Sequence, residues 1–193
     1  MAKTKPKSLL LGKLASKLPH TIKRVGQGGQ VVASNVIFDI DDIIKATRFW
    51  SGRNAYIGFK LNNFEEEIRK DGKYYYLGNM TFARNVDFYL RQRFSINFMI
   101  KKAEKVQVEG PNGEIRNLMK GNIAFSTDTE LDLDYDTVFK DSKGLRGFVH
   151  HIFFEYIYRR TYENHKLDLG INTGKIHSLL KRQINSFKIY KEV

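Results

Sequence analysis

The sequence predicts an α+β protein: a mostly antiparallel twisted sheet or sandwich with long hairpin strands, two C-terminal helices and a basic N-terminal arm. Three observations carry that reading. Apolar and polar residues alternate through the middle of the chain, the C-terminal part switches to helical spacing, and positive charge gathers at both ends. Residues 1–30 are expected to form a basic amphipathic arm and a Gly-rich hinge. Residues 31–193 are expected to form one domain, strand-rich over 31–140 and helical over 141–193.

Ser8 can cap a short helix that places Leu11, Leu14 and Leu18 on one face and Lys13 and Lys17 on the other, and Pro19 stops it. Gly26 to Gln30 reads as the hinge. Val31–Ile40 is an apolar strand, followed by a helix over Asp41–Trp50 capped by Asp39 or Asp41. Ala55–Leu61 is a further strand. Asp71-Gly72 reads as a two-residue turn between Glu66–Lys70 and Lys73–Leu77, and Pro111-Asn112-Gly113 marks a second hairpin.

The clearest strand is Val86–Lys101. Val86, Phe88, Leu90, Phe94, Ile96, Phe98 and Ile100 share one face, interrupted by Gln92, while Asp87, Arg91, Arg93, Ser95, Asn97 and Lys101 take the other. Leu145–Glu163 reads as one helix. Gly170 supplies a stop and Thr173 a new cap, and Ile176, Leu179, Leu180, Ile184 and Phe187 then mark a second helix.

Apolar residues at 41% and aromatics at 13% are enough to bury a core. Cysteine is absent, which removes disulfides, thiolate metal sites and cysteine nucleophiles. No apolar run approaches the roughly 18 residues of a membrane-spanning helix, and Leu9-Leu10-Leu11 is too short for a secretory signal core. The expected location is therefore the cytoplasm or the interior of a viral particle.

Of the net charge of +12, residues 1–24 carry +7 through Lys3, Lys5, Lys7, Lys13, Lys17, Lys23 and Arg24. Residues 175–193 add +4, with Lys181, Arg182 and Lys188 as the candidate contacts there. Basic ends on a nearly neutral body suit a polyanion or an acidic partner, because each phosphate contact gains from counterion release. A membrane surface is the weaker fit for the Lys/Leu arm.

The opposite charge gathers in one place. Asp128, Glu130, Asp132, Asp134 and Asp136 alternate with uncharged residues, which on a strand puts five carboxylates on one face. Such a row either faces solvent, meets a basic partner or lines a channel. The turn geometry of a calcium loop is missing from it.

Val36-Ile37-Phe38-Asp39-Ile40-Asp41 resembles the first motif of haloacid-dehalogenase-type phosphotransferases, an apolar strand followed by Asp-x-Asp. That resemblance implies Asp39 as nucleophile at phosphorus, Asp41 as acid/base and Mg²⁺ between them. Ile123-Ala124-Phe125-Ser126 is similar to the family's second motif. Ile43 stands where the family has Thr, its later Lys and acidic pair have no counterpart, and hairpins occupy the region of its βαβ units. Asp39 and Asp41 are accordingly read as helix caps, and no catalytic activity is expected.

Ala55-Tyr56-Ile57-Gly58-Phe59 is similar to half of the aromatic strand motif of RNA-recognition domains, but too few residues separate it from Val36–Ile40 for that fold. His151 and Glu155 stand one helical turn apart, yet Arg159 is in place to pair with Glu155, so no metal and no cofactor is expected. Tyr74-Tyr75-Tyr76 beside Arg69, Lys70 and Lys73 suits half-buried sheet positions or an interface. The function expected from these features is a non-enzymatic structural subunit of a larger assembly, a viral or phage particle component among them, contacting copies of itself or other subunits. The alternatives are a free DNA- or RNA-binding protein and a small ligand-binding or enzymatic domain.

Overall fold

The computed structural model describes residues 23–24, 29–135 and 145–192. Five long strands form one antiparallel sheet: β2 (Gly29–Phe38), β3 (Ile57–Ile68), β4 (Tyr74–Asn85), β5 (Leu90–Glu109) and β6 (Ile115–Leu133). Their spatial order is β2-β6-β5-β4-β3. The two-residue β1 (Lys23–Arg24) continues the β2 side of β6, and β7 (Lys191–Glu192) pairs with the far end of β5. Helix α1 (Ile40–Arg53) links β2 to β3. After β6 come α2 (Leu145–Ile152), a π turn (Phe153–Tyr158) and α3 (Arg159–Asn185). The helices pack on one face of the sheet around Phe38, Ile43, Phe94, Phe125, Leu169 and Ile176. The architecture is a single sheet with a helical layer, which settles the choice between sheet and sandwich.

Asp39 is the helix cap: its Oδ1 accepts from the backbone N–H of Asp41 at 2.9 Å and of Asp42 at 3.2 Å. Both hairpins turn through three residues: the turn at Asp71-Gly72 is one residue longer than expected, and Pro111-Asn112-Gly113 is itself the second loop. Arg69 donates to the Lys73 carbonyl at 3.1 Å and Gly110 to the Glu114 carbonyl at 2.8 Å. Within these loops only Gly72 (φ +72°) and Gly113 (φ +77°) reach the left-handed region, so each loop is a right-handed turn closed by a glycine bulge. The strand β2 begins at Gly29, two residues inside the segment read as a hinge.

Strand β5 keeps the predicted alternation. Leu90, Gln92, Phe94, Ile96, Phe98 and Ile100 are buried, and Arg91, Arg93, Ser95 and Asn97 face the open side. Its start differs from the sequence reading. Val86–Tyr89 is the turn between β4 and β5, because the Asp87 carboxylate accepts from the Tyr89 and Leu90 N–H groups, both at 2.8 Å. Phe88 is thereby turned outward and Tyr89 inward.

The boundary between the C-terminal helices also moves, from Gly170–Thr173 to the π turn. The Thr173 hydroxyl donates to the Leu169 carbonyl at 2.7 Å inside α3. A continuous buried stripe of Leu169, Thr173, Ile176, Leu180 and Ile184 then outweighs the roughly 1 kcal/mol cost of Gly170 in a helix. The π turn has its own cause in the sequence. His150, Phe154, Tyr158 and Tyr162 are buried at a strict four-residue spacing. In an α-helix four residues overshoot one turn by about 40°, and the wider π turn takes that rotation back.

Phe94→Ala should lower stability by about 3–5 kcal/mol, whereas Ser95→Ala on the opposite face should cost less than about 1 kcal/mol. Urea unfolding midpoints of the two variants check this, and equal losses would mean that β5 is buried on both faces.

Candidate functional site

The carboxylate row is shorter and less free than its spacing suggests. Asp128, Glu130 and Asp132 share the open face of β6, and in register they stand opposite Ser95, Arg93 and Arg91 of β5. Arg93 Nη2 reaches Asp132 Oδ2 at 2.5 Å, and Asp132 is buried at 8% exposure. Asn97 donates weakly to Asp128 at 3.5 Å. Asp134 has left the strand with φ +52°, its N–H bonded to the Tyr89 carbonyl at 2.6 Å. Asp136 lies outside the described residues. A depression of about 630 Å³ on this face is lined by Lys60, Arg91 and Arg93 as well as Asp128 and Glu130. The surface is mixed in sign, not a negative wall.

A second polar cluster bridges sheet and helix, with Gln92 and Tyr56 buried and Asp168 partly open to solvent. Arg84 of β4 meets Asp168 of α3 and donates to Gln92 Oε1 at 2.8 Å. The Tyr56 hydroxyl donates to the same oxygen at 2.9 Å and accepts from Asn172 at 3.3 Å. Gln92 Nε2 in turn donates to the His165 carbonyl at 3.2 Å. Burial pushes the Tyr56 phenol up to about 12 against the pull of Arg84, so it stays a proton donor at neutral pH. The Arg84 charge is taken by Asp168. Chemically the cluster is a clamp that fixes the middle of α3 to β4 and β5.

The expected basic contacts divide into three sets. Lys3, Lys5, Lys7, Lys13 and Lys17 lie outside the described residues. Lys23 and Arg24 form β1 and pair in register with Leu131 and Glu130. Lys181, Arg182 and Lys188 are exposed at the end of α3 and just beyond it, with Lys175 one to two turns earlier. The structure adds Arg48 and Arg53 on the exposed side of α1, where Arg53 lies over the Phe49 ring at 4.9 Å. Among the described residues none of these six exposed cations bonds to a carboxylate.

Sequence reasoning missed Arg48 because it assigned no faces to this helix, and Arg53 because it ended the helix at Trp50. The available signal was their placement against Ile43, Thr47 and Ser51, the residues that α1 buries. Phe187, just beyond α3, packs on Val108 and Leu118, whereas β1 lies beside Leu131. Thirteen residues of β6 separate the two places, about 43 Å at 3.3 Å per residue, so the basic ends leave from opposite ends of the sheet.

The remaining candidates resolve locally. Arg159 bonds Glu155 at 2.9 Å, and no group of three His, Asp or Glu side chains among the described residues could hold a metal ion. Asp39 is held by its capping bonds in an antiparallel sheet, so the haloacid-dehalogenase-like resemblance does not extend to the fold. Tyr56 is buried at 3% exposure, packed against Trp50, Phe82 and Phe94. Tyr74 and Tyr76 stack at 6.2 Å on one face, while Arg69 covers Tyr75 at 3.9 Å on the other. No helix among the described residues is long and apolar enough to cross a membrane.

No protein-family model matches the chain, and no curated protein matches it. One solved structure, an uncharacterized protein from Rhizobium leguminosarum, is similar at 10% identity over 83% of this chain and 98% of that chain. Its TM-score is 0.15, a likeness that carries no argument about fold or function.

Replacing Asp168 by Ala leaves Arg84, Gln92 and Asn172 without a shared acceptor, and should cost about 1–3 kcal/mol. Asp168→Ala in an Arg84→Met background should cost less, and a double-mutant cycle by urea unfolding measures the difference. Burial also raises Tyr76 to about 12, helped by Glu66, and pushes Tyr89, Tyr158 and Tyr162 upward. A raised phenol stabilises the fold below its unfolded value of 10.0, and that contribution is lost as pH climbs from there toward the folded value. Stability should therefore fall above pH 10, with these tyrosines ionising together on unfolding; absorbance titration at alkaline pH checks it.

Proposed function

We propose that this protein is a non-enzymatic subunit of a larger assembly that holds a polyanion on its helical layer. The observation that supports the reading is the set of exposed, carboxylate-free cations Lys175, Lys181, Arg182 and Lys188 on α3 and just beyond its end, accompanied by Arg48 and Arg53. Elsewhere on the described surface, Lys45, Lys73, Arg93, Arg116, Arg159 and Lys166 each pair with an acid, while exposed cations without one, such as Lys60, Lys70 and Lys101, are spread over separate strands and a turn. Cations left unpaired together, on a structured element, favour counterion release when phosphates replace bound salt. The Lys-rich residues 1–24 add a second contact from the opposite end of the sheet. A particle that packages or is built on nucleic acid is the setting such a subunit fits.

The test is the salt dependence of binding to heparin and to duplex DNA. Replacing Lys175, Lys181, Arg182 and Lys188 by Ala should weaken binding without unfolding the protein. It should lower the slope of log K against log salt by up to about 0.9 for each phosphate that these side chains neutralise. An unchanged slope overturns the polyanion reading. Sedimentation over a range of concentrations separates a subunit, which self-associates or joins a partner, from a free nucleic-acid-binding protein that stays monomeric.

A further inference from the structure

The outer surface at the π turn is apolar. Phe148, Val149, Ile152, Tyr156 and Ile157 are exposed, Tyr156 at 82% and Ile157 at 66%, and Phe88 is exposed beside them. They stand in two columns. The wide turn takes back the rotation of the four-residue spacing, so Phe148, Ile152 and Tyr156 form one column, and Val149 and Ile157 form the next with Phe153 between them. Underneath, the columns are fixed. Phe153 packs on Phe88 at 6.3 Å and on Tyr89 at 5.3 Å, and Tyr158 donates to Asp87 Oδ2 at 2.6 Å. The six exposed side chains leave on the order of 600 Å² of mostly apolar surface open, at the upper end of what a monomer exposes in one patch.

We infer that this face is covered by a second copy of the chain, packed end for end across a two-fold axis at Ile152 and Phe153. Three observations select that occupant. The first is symmetry. A two-fold contact brings the same patch of each copy together, so the patch must match its own reversal. Turning a copy over exchanges the two columns and reverses their order. Counted outward from between Ile152 and Phe153, the apolar positions are the same in both directions. Phe148 then meets Ile157 of the second copy, Val149 meets its Tyr156, and Ile152 meets its Phe153. The second is fit. Each meeting sets an aromatic ring against a smaller β-branched side chain, the alternation of large and small by which facing helices interdigitate. The third is area. A standard interface buries about 800 Å² on each partner, and this patch supplies about three quarters of that. Glu155 and Arg159, bonded to each other at 2.9 Å, border it as part of a polar rim. The inference gives the assembly subunit proposed above its partner, and it rests on that reading for association only, not for polyanion binding.

The full chain should sediment as a dimer that dissociates on dilution. Tyr156→Asp should weaken this association by about tenfold or more with circular dichroism unchanged. The chain contains no cysteine, so single introduced thiols report the contact. Phe148→Cys mixed with Ile157→Cys should give a disulfide-linked dimer on a non-reducing gel. Its yield should be several-fold above that of Phe148→Cys alone, and above that of Phe148→Cys mixed with Ile171→Cys, which is exposed on α3. A monomer at every concentration overturns the inference, and so does a dimer that Tyr156→Asp leaves intact. Phe148→Cys linking to itself as readily as to Ile157→Cys would make the contact parallel and also overturns it. Cosedimentation of a monomer with anionic vesicles, lost in Tyr156→Asp, would make the occupant a membrane surface, which overturns it too. None of these outcomes moves the salt slope of heparin binding, so the polyanion reading stands or falls separately.

Discussion

The pairing of β5 with β6 is the constraint on which the rest depends. The two strands are in register from Leu90↔Leu133 to Glu109↔Ile115, and every other long strand attaches to one of them or to β4 beside them. A slip of β5 by one residue would move Phe94 and Phe98 to the open face and bring Arg93 into the core, and a slip of β6 would do the same with Ile123, Phe125 and Glu130. The three-residue loop at 111–113 fixes this register from one end. A bulge at Lys102 (φ +54°) bends the ribbon, and Gly121 sits there because a Cβ would stand 2.8 Å from the Ala103 backbone. The length of these two strands serves two attachments: β2, α1 and the clamp along one part, and β7 with Phe187 along the other.

The open face explains why one sheet suffices. Asn62, Asn79, Asn97, Ser126 and Gln30 form one row across all five strands, each opposite the next. Asn79 Nδ2 lies 2.7 Å from Ser95 Oγ and 2.6 Å from Asn97 Oδ1. A face whose amides and hydroxyls bond one another and water gains little from a second apolar layer. The helices cover the other face, while a short exposed apolar row of Val32, Ala124, Met99 and Leu77 lies beside the polar one.

Much of the fold was legible because it is local. The alternation in β5, the glycines of both hairpins and the Asp39 cap are each decided by neighbouring residues. The errors fell where a distant contact decides. Phe88 continues the period of β5, yet Asp87 captures the backbone there and Tyr89 takes the inward place. Gly170 and Thr173 are good stop and cap residues, but the core beneath α3 keeps the helix going. The carboxylates of β6 alternate as expected, while Arg91 and Arg93 opposite them come from another strand and enter only once the register is known. The clamp joins Tyr56, Arg84, Gln92, Asp168 and Asn172, and its one trace in the sequence was Gln92 interrupting an apolar face. Arg48 and Arg53 are visible as residues but become a surface only when α1 is turned against the sheet.

The clamp bears on function through α3. This helix is held at three places along its length. Around its middle Asp168 pairs with Arg84 of β4 and Asn172 bonds Tyr56 just before β3; a turn further on the His177 ring lies so close to Gly29 that a Cβ there would stand 1.8 Å from it; beyond its end Phe187 packs on Val108 and Leu118. Lys175, Lys181, Arg182 and Lys188 are carried between or beside those fixed points. A ligand that meets them need not order the backbone that bears them, so less of the electrostatic gain is lost to ordering than with cations on a loop. The same fastening limits what α3 can do. A helix pinned to β2, β4 and β5 cannot swing open over the sheet without breaking the Arg84–Asp168 pair and uncovering Ile176 and Leu180, which makes it a fixed platform and not a lid.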